Sequence, residues 1–285
     1  EVEKEYLAIV HGVIERDSGT IDLPIGPART SSIDLKMAVV ADGQEALTEW
    51  KVVERVRGRT LVSCKPMTGR QHQIRVHMDA IGHAFIAEQL RRHRPDDAVL
   101  DEEAAEDPRR FTADRVWIID PLDGTREFGE PGRIDWAVHI ALWTGDGFGA
   151  AAVSLPAVGR TFTTDDPTPM PPFERERPIR VTSRSRAPYA AVLVVEGLDC
   201  DAVRLGSAGA KAMSVVMGET DIYVHDGGMY QWDSAAPSAV AKAAGLHVSR
   251  TDGSPLKYNQ ESLWLPDFLV CRTELAEPAL SALNP

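Results

Sequence analysis

The stretch that decides the fold of most of this chain reads WIIDPLDGT and spans residues 117–125. Its first half is apolar and of strand length, and it ends in two carboxylates, Asp120 and Asp123, followed by a Gly-Thr step. Divalent cations prefer such oxygens, and phosphates bind free amides where the strands of α/β sheets end. The stretch therefore indicates a cation or phosphate site, although an Asp-rich turn bonded to its own backbone fits these residues equally well.

Two other acidic segments lie far from this stretch in the sequence. Glu102 and Glu103 follow the apolar residues 98–100, and Asp233 opens a predicted helix in the run WDSAAP, residues 232–237. Taken singly, the glutamates are typical of a solvated surface and Asp233 is typical of a helix cap. Taken together, the three segments supply carboxylates that folding could gather into one site.

The three segments, in this order, resemble the signature of the inositol monophosphatase superfamily. The continuation REF, residues 126–128, is more similar to the 3'(2'),5'-bisphosphate nucleotidases, the CysQ-like branch, than to the inositol branch. The resemblance covers residues 79–275. It implies a magnesium-dependent hydrolase of a small phosphorylated nucleotide or sugar, with 3'-phosphoadenosine 5'-phosphate as the expected substrate and inositol monophosphate as the alternative.

The resemblance also implies a metal centre of two or three Mg²⁺ ions. One ion would bind Glu102, Asp120 and the carbonyl of Leu122, and a second would bind Asp120, Asp123 and Asp233. Such ions orient a phosphate, neutralise its oxygens and lower the pKa of a water that attacks phosphorus in line with the leaving oxygen.

The remaining implied roles concern catalysis and substrate binding. Thr125 would help to orient the attacking water, and Asp79 is the candidate for the upstream aspartate that pairs with this threonine in the family. Glu102 is the third implied catalytic residue. The residues that follow Asp79, 81–83, depart from the family pattern. The implied substrate-binding residues are Asp123, Gly124, Thr125, Ser183, Arg184, Gly206, Ser207 and Lys211.

The first third of the chain has a β-like pattern up to His77. Alternating apolar residues at 6–10 and a predicted hairpin of residues 47–56 and 60–64 indicate an antiparallel sheet fragment. Residues 51–75 hold seven basic side chains and one acidic one, which is typical either of a surface that follows a phosphate backbone or of a solvated sheet edge.

This third resembles a fragment of the RluA-like pseudouridine synthases. The resemblance rests above all on TGRQHQIRVH, residues 68–77, and also on KEYLA, residues 4–8. It implies RNA contact through Tyr6, Arg70 and Arg75. The His-Arg-Leu-Asp motif that carries that family's catalytic aspartate does not occur in the chain, so we expect no synthase reaction.

The two resemblances predict two domains. Residues 1–83 would be the synthase-like fragment without its catalytic half, and residues 84–285 the phosphatase domain, an α+β, layered α-β-α-β-α sugar-phosphatase-like fold lacking its first helices. An inactive chimera of two partial folds is the alternative. The following elements are expected in the second part: strands at 116–119, 136–142, 190–195 and 222–224, a helix capped by Ser207 that ends at Gly218, and a helix from Asp233 to just before Gly245 with Pro237 in its first turn.

Composition excludes several classes of protein. With 285 residues, 43% hydrophobic and 26% charged, the chain is typical of a globular protein, and its net charge of −12 lies almost wholly outside the first 83 residues. No apolar run is long enough to span a bilayer, and three widely spaced cysteines indicate neither a disulfide framework nor a zinc site. A cytoplasmic protein without a membrane partner is expected; the sequence predicts no oligomeric state. His139, in an apolar strand, is interpreted as a satisfied core histidine.

Overall fold

The computed structural model of the protein describes residues 5–11, 13–27, 37–56, 59–70, 73–80, 90, 93–102, 106–184 and 188–284. The chain forms two compact units. The first comprises Glu1–Asp96 and Glu103–Glu106, and the second comprises Asp97–Glu102 and Asp107–Pro285. The predicted domain boundary at 83 lies outside the described residues and stays a prediction.

The first unit is built on a four-stranded antiparallel sheet with the strand order β1-β6-β5-β2, beside a two-stranded pair, β3-β4. The strands are β1 Tyr6–His11, β2 Ser18–Asp22, β3 Ile25–Pro27, β4 Met37–Val39, β5 Leu47–Val56 and β6 Arg59–Pro66. Strands β5 and β6 form the hairpin that the sequence predicts. One face of the sheet is buried under a core that includes Val10, Trp50 and Val62.

The segment QIRVHMDA forms a helix, α1 (Gln73–Ala80), and the expectation of β structure up to His77 is therefore wrong there. Ile74 and Met78 lie one helical turn apart and both pack against the core of the sheet. Gln73 and Val76, three residues apart, are also both buried. A helix places such residues on one side, whereas a strand points them to opposite faces, so this burial favours the helix.

Helix α1 is tied to the sheet by buried hydrogen bonds. The Gln73 amide donates to the Leu47 carbonyl at 2.8 Å and to the Thr48 hydroxyl at 3.0 Å, and it accepts from the Thr68 hydroxyl at 2.7 Å. The His77 ring bonds the Thr48 hydroxyl at 2.9 Å and the Leu23 carbonyl at 2.8 Å. Burial lowers the pKa of His77, which keeps the ring neutral. The synthase-like motif thus holds this unit together.

Two arginines of the basic stretch, residues 51–75, donate hydrogen bonds within the first unit. The Arg55 guanidinium donates to three carbonyls of residues 14–16 and to the Asp17 carboxylate, at 2.7 Å. The Arg70 Nε donates to the Glu45 carbonyl at 2.8 Å. Tyr6 begins β1 and is half-buried, and the side chain of Arg75 lies outside the described ones.

The second unit contains two five-stranded sheets and a two-stranded ribbon. The sheet orders are β11-β10-β9-β8-β7 and β13-β12-β14-β18-β16, and the ribbon is β15-β17. The strands are β7 Ala98–Asp101, β8 Val116–Asp123, β9 Ala137–Trp143, β10 Phe148–Leu155, β11 Arg160–Thr163, β12 Ile179–Ser183, β13 Asp201–Leu205, β14 Ile222–His225, β15 Met229–Tyr230, β16 His247–Ser249, β17 Trp264–Leu265 and β18 Phe268–Cys271. In the first sheet only β7 and β8 pair in parallel.

The helices of the second unit agree with the sequence in part. They are α2 Thr125–Gly129, α3 Tyr189–Leu198, α4 Ala208–Val216, α5 Gln231–Ala243 and α6 Ala276–Leu283. Short 3₁₀ turns are also present at Pro108–Phe111, Pro156–Val158 and Thr273–Leu275. Ser207 caps α4, and Gly218 follows its end with a left-handed φ of 70°, as predicted.

One predicted element in this unit is wrong, and one predicted helix is present but begins earlier than expected. Residues 190–195 are helical, because the buried residues Ala190, Ala191 and Val194 share one helical face while Val192 is exposed. Helix α5 begins at Gln231, two residues before the predicted start, so Pro237 lies in its second turn rather than its first. Among the described residues, none of the helices combines the length and apolarity needed to cross a lipid bilayer.

Replacing Gln73 by Leu should loosen the first unit. The change removes the hydrogen bonds that the Gln73 amide makes with the Leu47 carbonyl and with the Thr48 and Thr68 hydroxyls, which costs about 1–3 kcal/mol. Hydrogen exchange of peptides covering residues 47–80 should quicken accordingly, while Glu49→Gln, on the exposed side of β5, should leave exchange unchanged. Unchanged exchange in Gln73→Leu would show that this network does not hold α1.

Candidate metal centre

A bulge in β8 brings Asp120 and Asp123 to the same side of the sheet. In a regular strand, residues three apart point to opposite faces. Here Asp120 pairs with His139 and Asp123 pairs with Ala137, so three steps along β8 match two steps along β9. The extra residue re-aims the second carboxylate. Both side chains are buried, Asp120 almost completely.

Glu102 and Asp233 approach the same place from other elements. Glu102 directly follows β7, which runs parallel to β8, and its amide donates to the Ile119 carbonyl at 3.2 Å. Asp233 is the third residue of α5 and accepts a hydrogen bond from the Tyr230 amide at 2.7 Å. Carboxylate oxygens of Asp120, Asp123 and Asp233 all lie within 4.8 Å of one another.

The carboxylates repel one another in a buried site. Burial, followed by the charges of Glu102, Asp123 and Asp233, raises the pKa of Asp120 well above its ordinary value. Burial and the neighbouring Asp123 and Glu102 raise the pKa of Asp233 to about 7. A hydrogen bond joins Asp120 and Glu102. This set of crowded oxygen donors fits a divalent cation, whose charge would offset the repulsion.

Asp123 differs from its neighbours because donors surround it. Its carboxylate accepts hydrogen bonds from the first amides of α4, Ala208 at 3.2 Å and Gly209 at 2.6 Å. Burial raises the pKa of Asp123, but His139, the Gly209 amide and Lys211 outweigh burial, and the pKa lies below its ordinary value. Asp123 is thus held ionised.

His139 is part of the centre, which the sequence did not predict. It is fully buried, as expected, but its Nε2 lies 3.3 Å from the Asp123 carboxylate and its Nδ1 lies 3.1 Å from the Trp232 carbonyl. Burial lowers its pKa, but Asp123 outweighs burial and the pKa of His139 is raised. Gly209 leaves room for the ring, because a Cβ there would stand 2.1 Å from Nε2. Pairing of β9 with β8 was the signal that could have placed His139 here.

Four of the predicted substrate-binding residues support this centre. Gly124 takes a left-handed φ of 87° and lets the chain turn from β8 into α2. The Thr125 hydroxyl donates to the Leu122 carbonyl at 3.3 Å, beside Asp123. Ser207 caps α4 through the Ala210 amide at 2.8 Å, and the Gly206 amide donates to Asp135 at 2.6 Å.

Two of the other predicted binding residues, Ser183 and Lys211, line a cleft of about 270 Å³ in the second unit. Ser183, Lys211 and Asp233 line it, together with Ala208, Tyr223, His225, Gly228, Met229, Tyr230 and Trp264. Lys211 is buried and its Nζ donates to the Gly206 carbonyl at 2.5 Å. Burial lowers the pKa of Lys211 although Asp123 and other carboxylates oppose this shift.

Two predicted site residues are not brought to this cleft by the described contacts. The Arg184 guanidinium pairs with Glu127 at 3.0 Å and with Glu130 at 2.8 Å. Asp79 belongs to helix α1 of the first unit, and its side chain lies outside the described ones, as does the whole of Glu103. The role of Asp79 therefore stays a prediction.

A family model, the inositol monophosphatase family, matches residues 36–282. The chain belongs to this family. It is 49% identical over 213 residues to a 3'-phosphoadenosine 5'-phosphate phosphatase of Mycobacterium tuberculosis, covering 72% of this chain and 80% of that protein. The structure of CysQ from Bacteroides thetaiotaomicron matches with a TM-score of 0.55 and 26% identity, over 70% of this chain and 82% of that one. The predicted family and α+β fold are confirmed.

A second similarity concerns a shorter segment. Over 81 residues the chain is 51% identical to a Bacillus subtilis protein named RNA pseudouridine synthase YlyB, which covers 28% of this chain and 26% of that protein. The predicted likeness to these synthases is therefore confirmed for a segment, and the chain spans about a quarter of that relative's length.

Replacing Asp120 by Asn should distinguish two effects on stability: the repulsion among the carboxylates, and the stabilisation that a bound cation provides. In a chelator the variant should be at least as stable as the original protein, because one buried like charge is removed while the bond from the Leu122 amide, 3.0 Å in the structure, can still form. Added Mg²⁺ at a hundred times its Kd should stabilise the original protein by about 2.7 kcal/mol and the variant far less.

Melting curves with and without Mg²⁺ measure both effects. Asp146→Asn, which removes an exposed carboxylate from the turn between β9 and β10, is the matched control and should respond to Mg²⁺ like the original protein. An equal response to Mg²⁺ in Asp120→Asn would exclude Asp120 as a ligand.

Proposed function

We propose that this protein is a magnesium-dependent phosphomonoesterase that hydrolyses 3'-phosphoadenosine 5'-phosphate. The observation that carries the proposal is that β8 and α5 bring the carboxylates of Asp120, Asp123 and Asp233 together. Glu102 is hydrogen-bonded to Asp120. The name of the mycobacterial relative, at 49% identity, supports a nucleotide over inositol monophosphate as the substrate.

The proposed ligands of the ions are the four carboxylates and the carbonyl of Leu122. When bound, Mg²⁺ would neutralise charge on the phosphoryl oxygens and lower the pKa of a water, so that this water can lose a proton and attack phosphorus at neutral pH. The residues themselves supply position: Asp120 and Asp123 are fixed by the bulge of β8, and Asp233 by the first turn of α5.

Hydrogen bonds to the surrounding chain restrict the roles that Asp123 and Thr125 can take in this proposal. The amides of Ala208 and Gly209 and the His139 ring hold the Asp123 carboxylate in one orientation, so that it can bridge to a cation without rotating. The Thr125 hydroxyl donates its proton to the Leu122 carbonyl, so its oxygen remains able to accept a hydrogen bond from the attacking water. Water and phosphate would thereby be held on the same side of the Asp123 loop.

Phosphate release from 3'-phosphoadenosine 5'-phosphate tests this proposal. We expect release to require Mg²⁺ and to exceed that from inositol 1-phosphate in kcat/KM. Asp120→Asn should lower kcat/KM by a factor of about 10² or more, because losing a ligand of a metal site costs several kcal/mol of transition-state stabilisation. The control Asp146→Asn should retain full activity. Hydrolysis that needs no divalent ion, or that survives Asp120→Asn, would overturn the assignment.

A second function is proposed for the first unit, contact with structured RNA through residues 51–75. The similarity to the Bacillus subtilis synthase favours it, although Arg55 and Arg70 already hold loops of this unit. Lys51, exposed on β5, is therefore a better probe than either arginine.

RNA binding should weaken as salt rises, since neutralised phosphates release counterions. Lys51→Glu should weaken the binding of a hairpin RNA several-fold at low salt and flatten its salt dependence, measured by fluorescence anisotropy. Glu49→Gln on the same strand is the control. Affinity that is indifferent to salt and to Lys51→Glu would reject the RNA function without touching the phosphatase proposal.

A further inference from the structure

Trp264 is an aromatic ring left half-exposed at the wall of the cleft that also contains Asp233. Its side chain is 50% accessible, whereas Trp232, two rings further in, is 1% accessible. Single exposed apolar side chains are ordinary on a protein surface. This ring differs because it lines the same cleft as Lys211 and a carboxylate of the metal centre.

The Trp264 ring is braced by other aromatic rings. The ribbon of β15 and β17 pairs Tyr230 with Trp264, and the Tyr230 ring meets the Trp264 ring edge-on at 5.5 Å between centroids. On its other side Tyr230 stacks on Trp232 at 4.8 Å, with an angle of 14° between the planes. The three rings form a continuous support whose inner member is buried, so the outer ring has little freedom to tilt.

Gly228 provides the seat of the Trp264 ring. It takes a left-handed φ of 76°, and a Cβ on it would lie 1.7 Å from Cζ2 and 2.6 Å from Cη2 of Trp264. The indole therefore lies directly against the backbone at Gly228, and any other residue there would displace it. One side of the ring is thus occupied by protein, and Trp264, which is half accessible, lines the cleft.

The position of Trp264 is coupled to that of Asp233 through α5. The Tyr230 amide donates to Asp233 at 2.7 Å, and the Gln231 amide donates to the Leu263 carbonyl at 2.9 Å. The Gln231 side chain donates to the Ser262 carbonyl at 2.7 Å. One hydrogen bond thus holds Asp233 within the first turn of α5, and two more join Gln231 of that turn to the segment just before Trp264. These bonds hold the ring and the carboxylate at a fixed separation.

We propose that Trp264 is a specificity-determining residue that stacks on the nucleobase of the substrate while its phosphate lies at the carboxylates. This inference rests on the proposed phosphatase function. A purine presents a flat π face that an indole can cover, whereas a polyol such as inositol presents hydroxyls and gains little from an indole. The ring thereby favours nucleotides over other phosphomonoesters that the metal centre would treat alike.

Trp264→Leu, compared on two substrates, tests the inference. Loss of one base–aromatic contact should raise KM for 3'-phosphoadenosine 5'-phosphate about 5- to 150-fold, with kcat changed little. Glycerol 2-phosphate, which has no base, should keep its KM. Trp264→Phe retains a π face and should restore most of the affinity. Tyr189→Leu removes an aromatic side chain that is 70% exposed and lies outside the cleft, and should change neither KM.

Gly228→Ala and direct binding provide an independent test. The added methyl group should unseat the indole and raise KM for the nucleotide while sparing glycerol 2-phosphate. Calorimetry should show that adenosine 5'-phosphate binds the original protein more tightly than ribose 5-phosphate does, and that Trp264→Leu abolishes this difference.

The outcomes separate this inference from the proposed function. If the original protein releases phosphate from both substrates and Trp264→Leu alters both KM values equally, or neither, the stacking role is rejected and the phosphatase stands. If no phosphate is released from either substrate, the phosphatase proposal fails. The calorimetric difference between adenosine 5'-phosphate and ribose 5-phosphate then decides the role of Trp264 by itself.

Discussion

Mutual repulsion among buried carboxylates is the constraint on which the second unit depends. Each buried ion costs several kcal/mol of lost hydration, and like charges at this separation add to that cost. The raised pKa of Asp120 and the pKa of about 7 at Asp233 are expressions of this cost. A fold that keeps buried carboxylates together must hold them by contacts that leave their negative charge in place. The bulge of β8 and the first turn of α5 do so, since both act through the backbone.

Asp123 shows how the same contacts serve stability and chemistry. It joins β8 to the start of α4 through two amide hydrogen bonds and to β9 through His139, so it connects two layers of the unit. The amides at a helix start carry partial positive charge, which favours the ionised form. A carboxylate fixed in this way is already oriented for a cation, and no rotation of the side chain is required when one binds.

The sequence predicted the parts of this site that depend on local order and missed those that depend on pairing. The three acidic segments and the Ser207 cap could be found because each is a short motif with its own chemistry. His139 and Trp264 could not, because their roles arise only when β9 pairs with β8 and β17 pairs with β15. A short apolar run such as 190–195 has no distinguishing period, so the sequence predicts a strand where the chain forms a helix. The sequence does not predict helix α1, because its polar residues Gln73 and His77 form hydrogen bonds inward to Thr48 rather than facing solvent.

The division of labour between the carboxylates and the aromatic rings follows from what each can distinguish. A cation held by carboxylates interacts with a phosphoryl group, and that group is the same in a nucleotide, an inositol phosphate and a glycerol phosphate. Selectivity must therefore come from groups that meet the rest of the substrate, and it increases when those groups cannot move relative to the cation. In this unit Tyr230 links the metal centre to the wall of the cleft: its amide donates a hydrogen bond to Asp233, and its ring supports Trp264. Because one residue holds both Asp233 and the Trp264 ring, their separation is set by the backbone rather than by flexible side chains.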